Sequence, residues 1–132
     1  MDFVSIRVIT GDITRLVGFY EKVTGGQAVW ATEDFAELRT PHATLAIGSR
    51  RTFPLFTPAA VGNVILEFLV ADVDARYEQL QGVVEEFVQE PTTMPWGNRS
   101  LLFRDPDGNL VNFFTPVTPA AVEKFRYAAG GH

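Results

Sequence analysis

Hydrophobic positions near the N-terminus change from alternation to a spacing close to the ~3.6 residues of a helical turn. Residues 4–8 alternate between apolar and polar side chains, which is typical of a strand with one buried face. Four apolar residues then follow at the spacing of one helix face: Ile13, Val17, Tyr20 and Val23. Thr10 or Asp12 can cap this predicted helix, and Gly25 with Gly26 can end it.

The same order of patterns occurs a second time, with Asp72 sixty residues after Asp12. Residues 64–70 predict a strand, and a second helix of the same apolar spacing follows and ends near Gly82. Three short strands are predicted after each helix: near 28–31, 35–39 and 44–47 in the first copy, and near 83–88, 100–104 and 110–114 in the second. Because a repeat is stronger evidence than a single propensity, the sequence predicts two βαβββ modules.

The repeat divides the chain into four parts. We expect a first βαβββ module, a proline-containing linker, a second βαβββ module, and a short C-terminal helix with a frayed tail. Their ranges are 1–52, 53–62, 63–116 and 117–132. Thr118 and Pro119 form a good cap and first turn for the last helix, which we expect to extend to Tyr127.

Composition narrows the class of protein. The chain has 132 residues, 46% hydrophobic residues and eleven Phe, which is enough apolar material for a sizeable core. The absence of cysteine excludes a disulfide framework, a thiolate metal site and a cysteine nucleophile. A net charge of −5 without a Lys/Arg cluster argues against nucleic acid as a partner. No apolar stretch reaches the ~20 residues that span a membrane, and no signal-peptide pattern is present, so we expect a cytoplasmic protein.

A tight turn joins two apolar strands near the C-terminus. It reads Asp-Pro-Asp-Gly, in which Pro106 sets φ and Gly108 accepts a left-handed backbone. This hairpin, the Pro95-Trp96-Gly97 loop before it and the βαβββ repeat together resemble the vicinal oxygen chelate superfamily, which includes glyoxalase I, extradiol dioxygenases, and bleomycin- and fosfomycin-resistance proteins. The resemblance covers residues 3–116. It implies an α+β fold in which two tandem βαβββ modules form a cupped, eight-stranded mixed sheet around a cavity.

Metal-dependent members of that superfamily carry metal ligands on four strands. By resemblance, the corresponding positions here are Phe3 or Ser5, the strand at 44–47, Ile65 and Asn112. Relatives use His, Gln or Glu at these places, and a divalent metal needs several such ligands. The residues in this sequence do not supply them, so we expect no metal and no other cofactor.

Arg7 and Glu67 occupy equivalent positions in the two modules. Strand parity puts both on the cavity face, because Val4, Ile6 and Val8 are expected to face the helix. In the resembled fold the first strands of the modules approach each other, so we predict an ion pair or polar floor of Arg7 and Glu67 where relatives hold the metal. Such a pair would orient a ligand more than it would stabilise the fold. Alternatively, Arg7 reaches solvent and Glu67 pairs elsewhere.

Further candidate ligand contacts lie in the second module. Trp96 could stack on a ligand or could cover the end of the sheet. Phe114 shares strand parity with Asn112, which places both on the cavity side. Arg99 could meet an anionic ligand group or could anchor its loop to a nearby carboxylate. Trp30, in the first module, could face either the core or the cavity.

The resemblance and these residues support three functional hypotheses. The first is a metal-independent small-molecule-binding protein of the bleomycin-resistance type, and thus of antibiotic resistance. Its aromatic or cationic ligand would stack on Trp96 and Phe114, and Asn112, Glu67 and Arg7 would orient it. The resemblance also implies a homodimer.

The second hypothesis is a glyoxalase-like lyase or isomerase without the family metal, in which Glu67 is the candidate general base and Arg7 or Asn112 stabilises an oxyanion. A nearby Arg7 would oppose the basic role, because it favours the charged carboxylate. The third hypothesis is an accessory module that binds a protein or peptide in the same groove.

Overall fold

The computed structural model describes residues 1–52 and 64–126. The chain divides into two compact units, Met1–Gly62 and Asn63–His132. The predicted linker at 53–62 and the predicted frayed tail lie outside the described residues. Within the described ranges, no helix is long and apolar enough to cross a membrane.

The first unit contains one mixed four-stranded sheet and one long helix. Its elements are β1 (Ser5–Thr10), α1 (Ile13–Thr24), β2 (Val29–Thr32), β3 (Phe35–Arg39) and β4 (Thr44–Ser49). The strand order is β1-β4-β3-β2, in which β1 runs parallel to β4 and the other pairs are antiparallel. This is the first βαβββ module that the alternating and helical periods predict.

The ends of α1 follow from local chemistry. The Asp12 side chain accepts a hydrogen bond of 3.2 Å from the Arg15 backbone N–H and is the N-cap. The Thr10 hydroxyl instead accepts from the Asp12 N–H. Gly25 ends the helix at φ 76°, a left-handed conformation that suits glycine. Three residues of the predicted apolar stripe, Val17, Tyr20 and Val23, are buried together with Leu16, whereas Ile13 is half-buried.

The second unit repeats this architecture and adds a short helix. Its elements are β5 (Ile65–Leu69), α2 (Val73–Gln79), β6 (Phe87–Thr93), β7 (Asn98–Arg104), β8 (Leu110–Pro116) and α3 (Pro119–Lys124). The strand order is β5-β8-β7-β6, and β5 is parallel to β8. The α+β class with tandem βαβββ units is therefore confirmed, as two four-stranded mixed sheets.

The register of β5, β8 and β7 sorts their side chains onto two faces. Glu67 lies opposite Asn112, which lies opposite Leu102 in the next strand. Paired residues share a face and neighbours along a strand alternate, so Phe113 points away from Asn112. We call the side with Glu67, Asn112 and Leu102 the Glu67 face. Phe113 belongs to the α2 face, where the Arg76 guanidinium lies 5.9 Å from the centre of its ring.

The α2 face carries a chain of aromatic contacts that forms much of the core of this unit. Successive rings meet edge to face with centroids between 5.0 and 6.4 Å apart. The rings, in order of contact, are Tyr77, Phe87, Phe103, Phe113 and Phe68. Phe103 and Phe113 are fully buried, so this face is closed by the protein itself.

The sixth strand begins at Phe87, so the predicted strand at 83–88 is wrong. The Val83 and Val84 N–H groups both donate to the Leu80 carbonyl, and Gly82 has φ 81°, so these residues form a turn after α2. Leu80 and Val84 are buried. These residues are apolar because they contact the core. Over such a short segment, the sequence pattern of an apolar turn cannot be distinguished from that of a strand.

Both helices of the second unit end earlier than expected. The C-cap of α2 is Leu80, two residues before Gly82. The last helix begins as predicted, with Thr118 as N-cap and Pro119 in the first turn, but it ends at Lys124 with Phe125 as C-cap. Tyr127 lies outside the described residues.

We expect Gly97→Ala to destabilise the protein by roughly 1–3 kcal/mol, because Gly97 has φ 97° and a Cβ there would overlap the Thr118 hydroxyl. Gly18→Ala is the matched control. A Cβ added to this helical glycine would meet no atom within 4 Å, so the change should stabilise the protein by about 0.5–1 kcal/mol. Denaturant unfolding of both variants checks the prediction. Equal effects would show that the turn at Gly97 tolerates a side chain.

Candidate ligand site

Glu67 and Asn112 form a hydrogen-bonded pair on the Glu67 face. The Asn112 Nδ2 group donates to Glu67 Oε2 over 2.9 Å. Their parallel strands pair in register at these two residues, which explains why the side chains lie next to each other. Asn112 is buried, with 8% of its surface exposed, whereas Glu67 is exposed. The result is a carboxylate that is held by a buried amide and faces outward.

This carboxylate has few other polar neighbours. Within the described part of the second unit, Glu67 accepts the one hydrogen bond from Asn112 and makes no ion pair. Its neighbours on the same strand face are Ile65 and Leu69, and its cross-strand row continues from Asn112 to Leu102. Glu67 itself is exposed to solvent, so its carboxylate is accessible to a ligand cation.

The second amide atom of Asn112 has a different environment. Asn112 Oδ1 is buried and has no hydrogen-bond partner among the described residues. An unsatisfied buried acceptor costs roughly 1–3 kcal/mol of stability. Turning the amide over would place Oδ1 against the Glu67 carboxylate, where two acceptors repel. In the observed orientation Nδ2 therefore binds Glu67, and Oδ1 is left without a hydrogen-bond partner.

Phe114 lies on the Glu67 face, two residues beyond Asn112, as its parity indicates. Only 7% of its surface is exposed. The ring meets Phe125 edge to face, with centroids 5.1 Å apart. Phe125, the residue that covers it, was not among the residues singled out in the sequence, because it follows a short helix and belongs to no repeat.

Trp96 lies in the turn between β6 and β7, which the Gly97 N–H closes by donating to the Met94 carbonyl over 2.9 Å. The indole is 65% exposed, so its packing against its own unit is slight. The Gly97 carbonyl accepts from the Val117 N–H and so ties this turn to the end of β8. Asn112, Phe114 and the Trp96 turn therefore follow one another along β8.

Arg99 lies on the other side of the sheet, because it is paired with Thr115 and so shares the parity of Phe113. Its guanidinium donates two hydrogen bonds to Asp74 of α2, over 2.9 and 3.1 Å, and one to Thr93. The hydrogen bonds from Arg99 lower the pKa of Asp74 and raise that of Arg99. The observed contact is the anchoring alternative, and Arg99 is not brought to Glu67.

Arg7 and Trp30 belong to the first unit. Arg7 lies on β1 at the position paired with Ala46, and its side chain is exposed. The predicted ion pair of Arg7 with Glu67 involves residues of two different units, and it stays a prediction. Trp30 lies on β2 with 43% of its surface exposed, so it is not a core residue.

A second feature of this unit was not indicated by the sequence. It is a shallow depression of about 490 Å³ beside α2. Acidic side chains dominate its lining, together with Arg99 and Tyr77: Asp72, Asp74, Glu78 and Glu90. Burial, and then the hydrogen bond that the Tyr77 hydroxyl donates to Glu90, raise the pKa of Tyr77. Because these groups come from α2, β6 and β7, sequence spacing does not bring them together.

Comparison with known proteins places the chain in a family. The family model of the glyoxalase/bleomycin resistance protein/dioxygenase superfamily matches residues 2–113. The chain belongs to this superfamily. The uncharacterized protein YraH of Bacillus subtilis strain 168 is 26% identical over 125 residues, which cover 86% of this chain and 98% of that protein.

Solved structures of other proteins share the fold. A glyoxalase/bleomycin resistance protein/dioxygenase family enzyme from Burkholderia phytofirmans is similar with a TM-score of 0.80 and 18% identity, covering 89% of this chain and 100% of that one. An integron cassette protein from Vibrio cholerae is similar with a TM-score of 0.68 and 26% identity, covering 87% and 94%.

The described residues offer few ligands at the positions that, by resemblance, hold a metal in members of this superfamily. Asn112, at one family ligand position by resemblance, directs its amide Nδ2 at Glu67, which leaves one oxygen, Oδ1, as its only atom that could coordinate a cation. Among residues 1–52 and 64–126, no group of three or more His, Cys, Asp or Glu side chains is placed to hold a metal ion. No step of the chemistry below is therefore assigned to a metal.

We expect Asn112→Leu to leave the melting temperature unchanged or to raise it, because the change removes the buried, unsatisfied Oδ1. Asn112→Asp should lower the melting temperature at pH 7, because it puts a second carboxylate against Glu67. That loss should shrink as the pH falls and the pair takes up a shared proton. Thermal unfolding at pH 7 and 5 tests both variants. Equal destabilisation by Leu and Asp would mean that the amide is needed for the fold.

We expect Arg99→Ala to lower the melting temperature by about 1–3 °C at pH 7 and by less at pH 3. The folded-state pKa of Asp74 is lowered by Arg99, so the pair contributes stability above the ordinary value of 3.8 and loses it as the pH falls through the lower, folded value. Arg15→Ala, which removes the same charge from an exposed position of α1, is the control. A pH-independent difference would contradict the role of Asp74.

Proposed function

We propose that this protein binds a small aromatic or cationic molecule on the Glu67 face and does so without a metal. The observation that carries the proposal is the Glu67–Asn112 pair, in which a buried amide holds an outward-facing carboxylate. The amide keeps this orientation although its Oδ1 is left unsatisfied. An arrangement that lowers stability in order to fix one polar group is expected at functional sites.

The surroundings of the pair suit a ligand with a charged end and a flat end. Glu67 would hold a cationic group, and Trp96 offers an exposed indole for stacking. The strand from residue 112 to residue 116 spans about 13 Å, which is the length of a two- or three-ring molecule. We include Arg7 of the first unit in the proposed site only because it occupies the position equivalent to Glu67 in the sequence repeat.

The superfamily to which the chain belongs is consistent with this proposal. The superfamily to which it belongs takes part of its name from bleomycin resistance proteins, and one similar structure is an integron cassette protein. We accordingly propose sequestration of a small molecule, of the kind that confers antibiotic resistance. Homodimerisation and a cytoplasmic location are part of the proposal and rest on the sequence.

The enzymatic alternative, with Glu67 as general base, is less well supported. A carboxylate that serves as a base near neutral pH usually sits in apolar, water-excluding surroundings. Glu67 is exposed to solvent, and its one partner in the described part of this unit is an amide donor. Such a carboxylate is better suited to bind a cation than to remove a proton from carbon.

We expect the wild type to bind 2-naphthylmethylammonium, an aromatic cation, and Glu67→Gln to weaken this binding about tenfold, which corresponds to ~1.4 kcal/mol. Glutamine keeps the shape of the side chain and removes its charge. Glu85→Gln removes the same charge from an exposed loop and is the matched control. Calorimetric titration measures all three proteins, with 2-naphthoate as the anionic probe.

Two results would contradict the proposal. One is binding of the probe that is equal in Glu67→Gln and wild type. The other is binding that disappears with a chelator and returns with a divalent metal, which would mean that the ligand assignments at the family positions are wrong. Turnover of an α-ketoaldehyde adduct of a thiol, lost in Glu67→Gln, would support the enzymatic alternative.

A further inference from the structure

The aromatic part of the proposed site is covered by the chain's own C-terminal segment. The ring of Phe125 packs against Phe114 with centroids 5.1 Å apart and an interplanar angle of 62°. Phe114 lies on the Glu67 face but keeps only 7% of its surface exposed. A flat ligand that uses Phe114 would therefore meet Phe125 in the same place.

The covering segment also carries a positive charge. The Lys124 ammonium lies 5.2 Å from the centre of the Phe125 ring, within the range of a cation–π contact. Lys124 and Phe125 thus present a cation and an aromatic ring side by side. These are the two chemical features that the proposed site would recognise in a ligand.

The helix that positions Phe125 is short enough to move. It has six residues, Pro119–Lys124, and helices of that length are not stable without tertiary contacts. Its N-terminus is held by the Thr118 cap, and Ala121 is its buried residue. The Phe125 ring supplies a further contact at the other end of the helix. Release of this one ring would leave the C-terminal end of α3 weakly held.

We propose that Phe125 acts as an internal competitor, which covers Phe114 on the Glu67 face until a ligand displaces it. This inference rests on the proposed function. The ligand can bind only to the fraction of molecules in which the segment is displaced. Its apparent dissociation constant is therefore larger than the intrinsic one by the inverse of that fraction. The segment thereby lowers the apparent affinity of every ligand that needs Phe114 by the same factor.

Hydrogen exchange of the wild-type protein tests the displacement directly. Two amides report on α3: the Val122 N–H, which donates to the Thr118 carbonyl over 2.8 Å, and the Phe125 N–H, which donates to Ala121 over 3.2 Å. Saturation with 2-naphthylmethylammonium should reduce the protection of both. The Asp105 N–H, bonded to Asn109 in the β7–β8 turn, should keep its protection and is the internal control.

Phe125→Ala tests the competition by affinity. We expect it to bind 2-naphthylmethylammonium about fivefold more tightly than wild type, because the segment no longer covers Phe114. Val122→Ala, at an exposed position of the same helix, should bind like wild type. Unchanged or higher protection of α3 at saturation overturns the inference, and so does weaker or equal binding by a folded Phe125→Ala variant.

The two proposals fail in different ways. If neither wild type nor Phe125→Ala binds the probe, the proposed function fails. If the probe binds, with the expected loss in Glu67→Gln, but α3 keeps its protection, the proposed function stands and the internal competitor is wrong. The exchange measurement uses the intact wild-type protein, so it decides the matter even if Phe125→Ala does not fold.

Discussion

The Asp105 carboxylate fixes the register on which the candidate site depends. It is buried, and it accepts hydrogen bonds from the backbone N–H groups of Asp107 and Asn109 and from the Asn109 side chain, all between 2.8 and 2.9 Å. The turn so formed sets which residues of β7 and β8 lie opposite each other. A slip of one residue would move Asn112 to the α2 face and separate it from Glu67. The geometry of the site therefore depends on a turn that does not contribute to it.

The two faces of the C-terminal sheet divide structural and functional roles. On the α2 face, rings such as Phe103 and Phe113 are fully buried, and the Arg99–Asp74 ion pair fastens the helix to the start of β7. On the Glu67 face, the Glu67 carboxylate is exposed, whereas Asn112 and Phe114 of β8 are buried. Because one face supplies most of the aromatic packing, the other can carry a polar pair whose own contribution to stability is small.

Asn112 lies at a position that, by resemblance, corresponds to a metal ligand in other members of this superfamily. A carboxylate there would offer oxygen ligands, whereas the amide offers an N–H group that binds Glu67. Asn112 thus supports a neighbouring carboxylate through its Nδ2 group. The unsatisfied Oδ1 shows that this support is not optimal for stability, which is the basis of the proposed role in ligand binding.

The sequence by itself determined the repeated βαβββ order and the shared face of Glu67, Asn112 and Phe114, because these follow from residue periods within a few positions. It left the cap of α1 open between Thr10 and Asp12, and the structure decided for Asp12. Tertiary structure decided the features that involve distant segments. The attachment of Arg99 to Asp74 depends on how α2 packs against the sheet. The cover of Phe125 over Phe114 likewise depends on where a six-residue helix docks, which no local pattern encodes. Side chains far apart in sequence meet only once register and packing are fixed, and those are properties of the whole sheet.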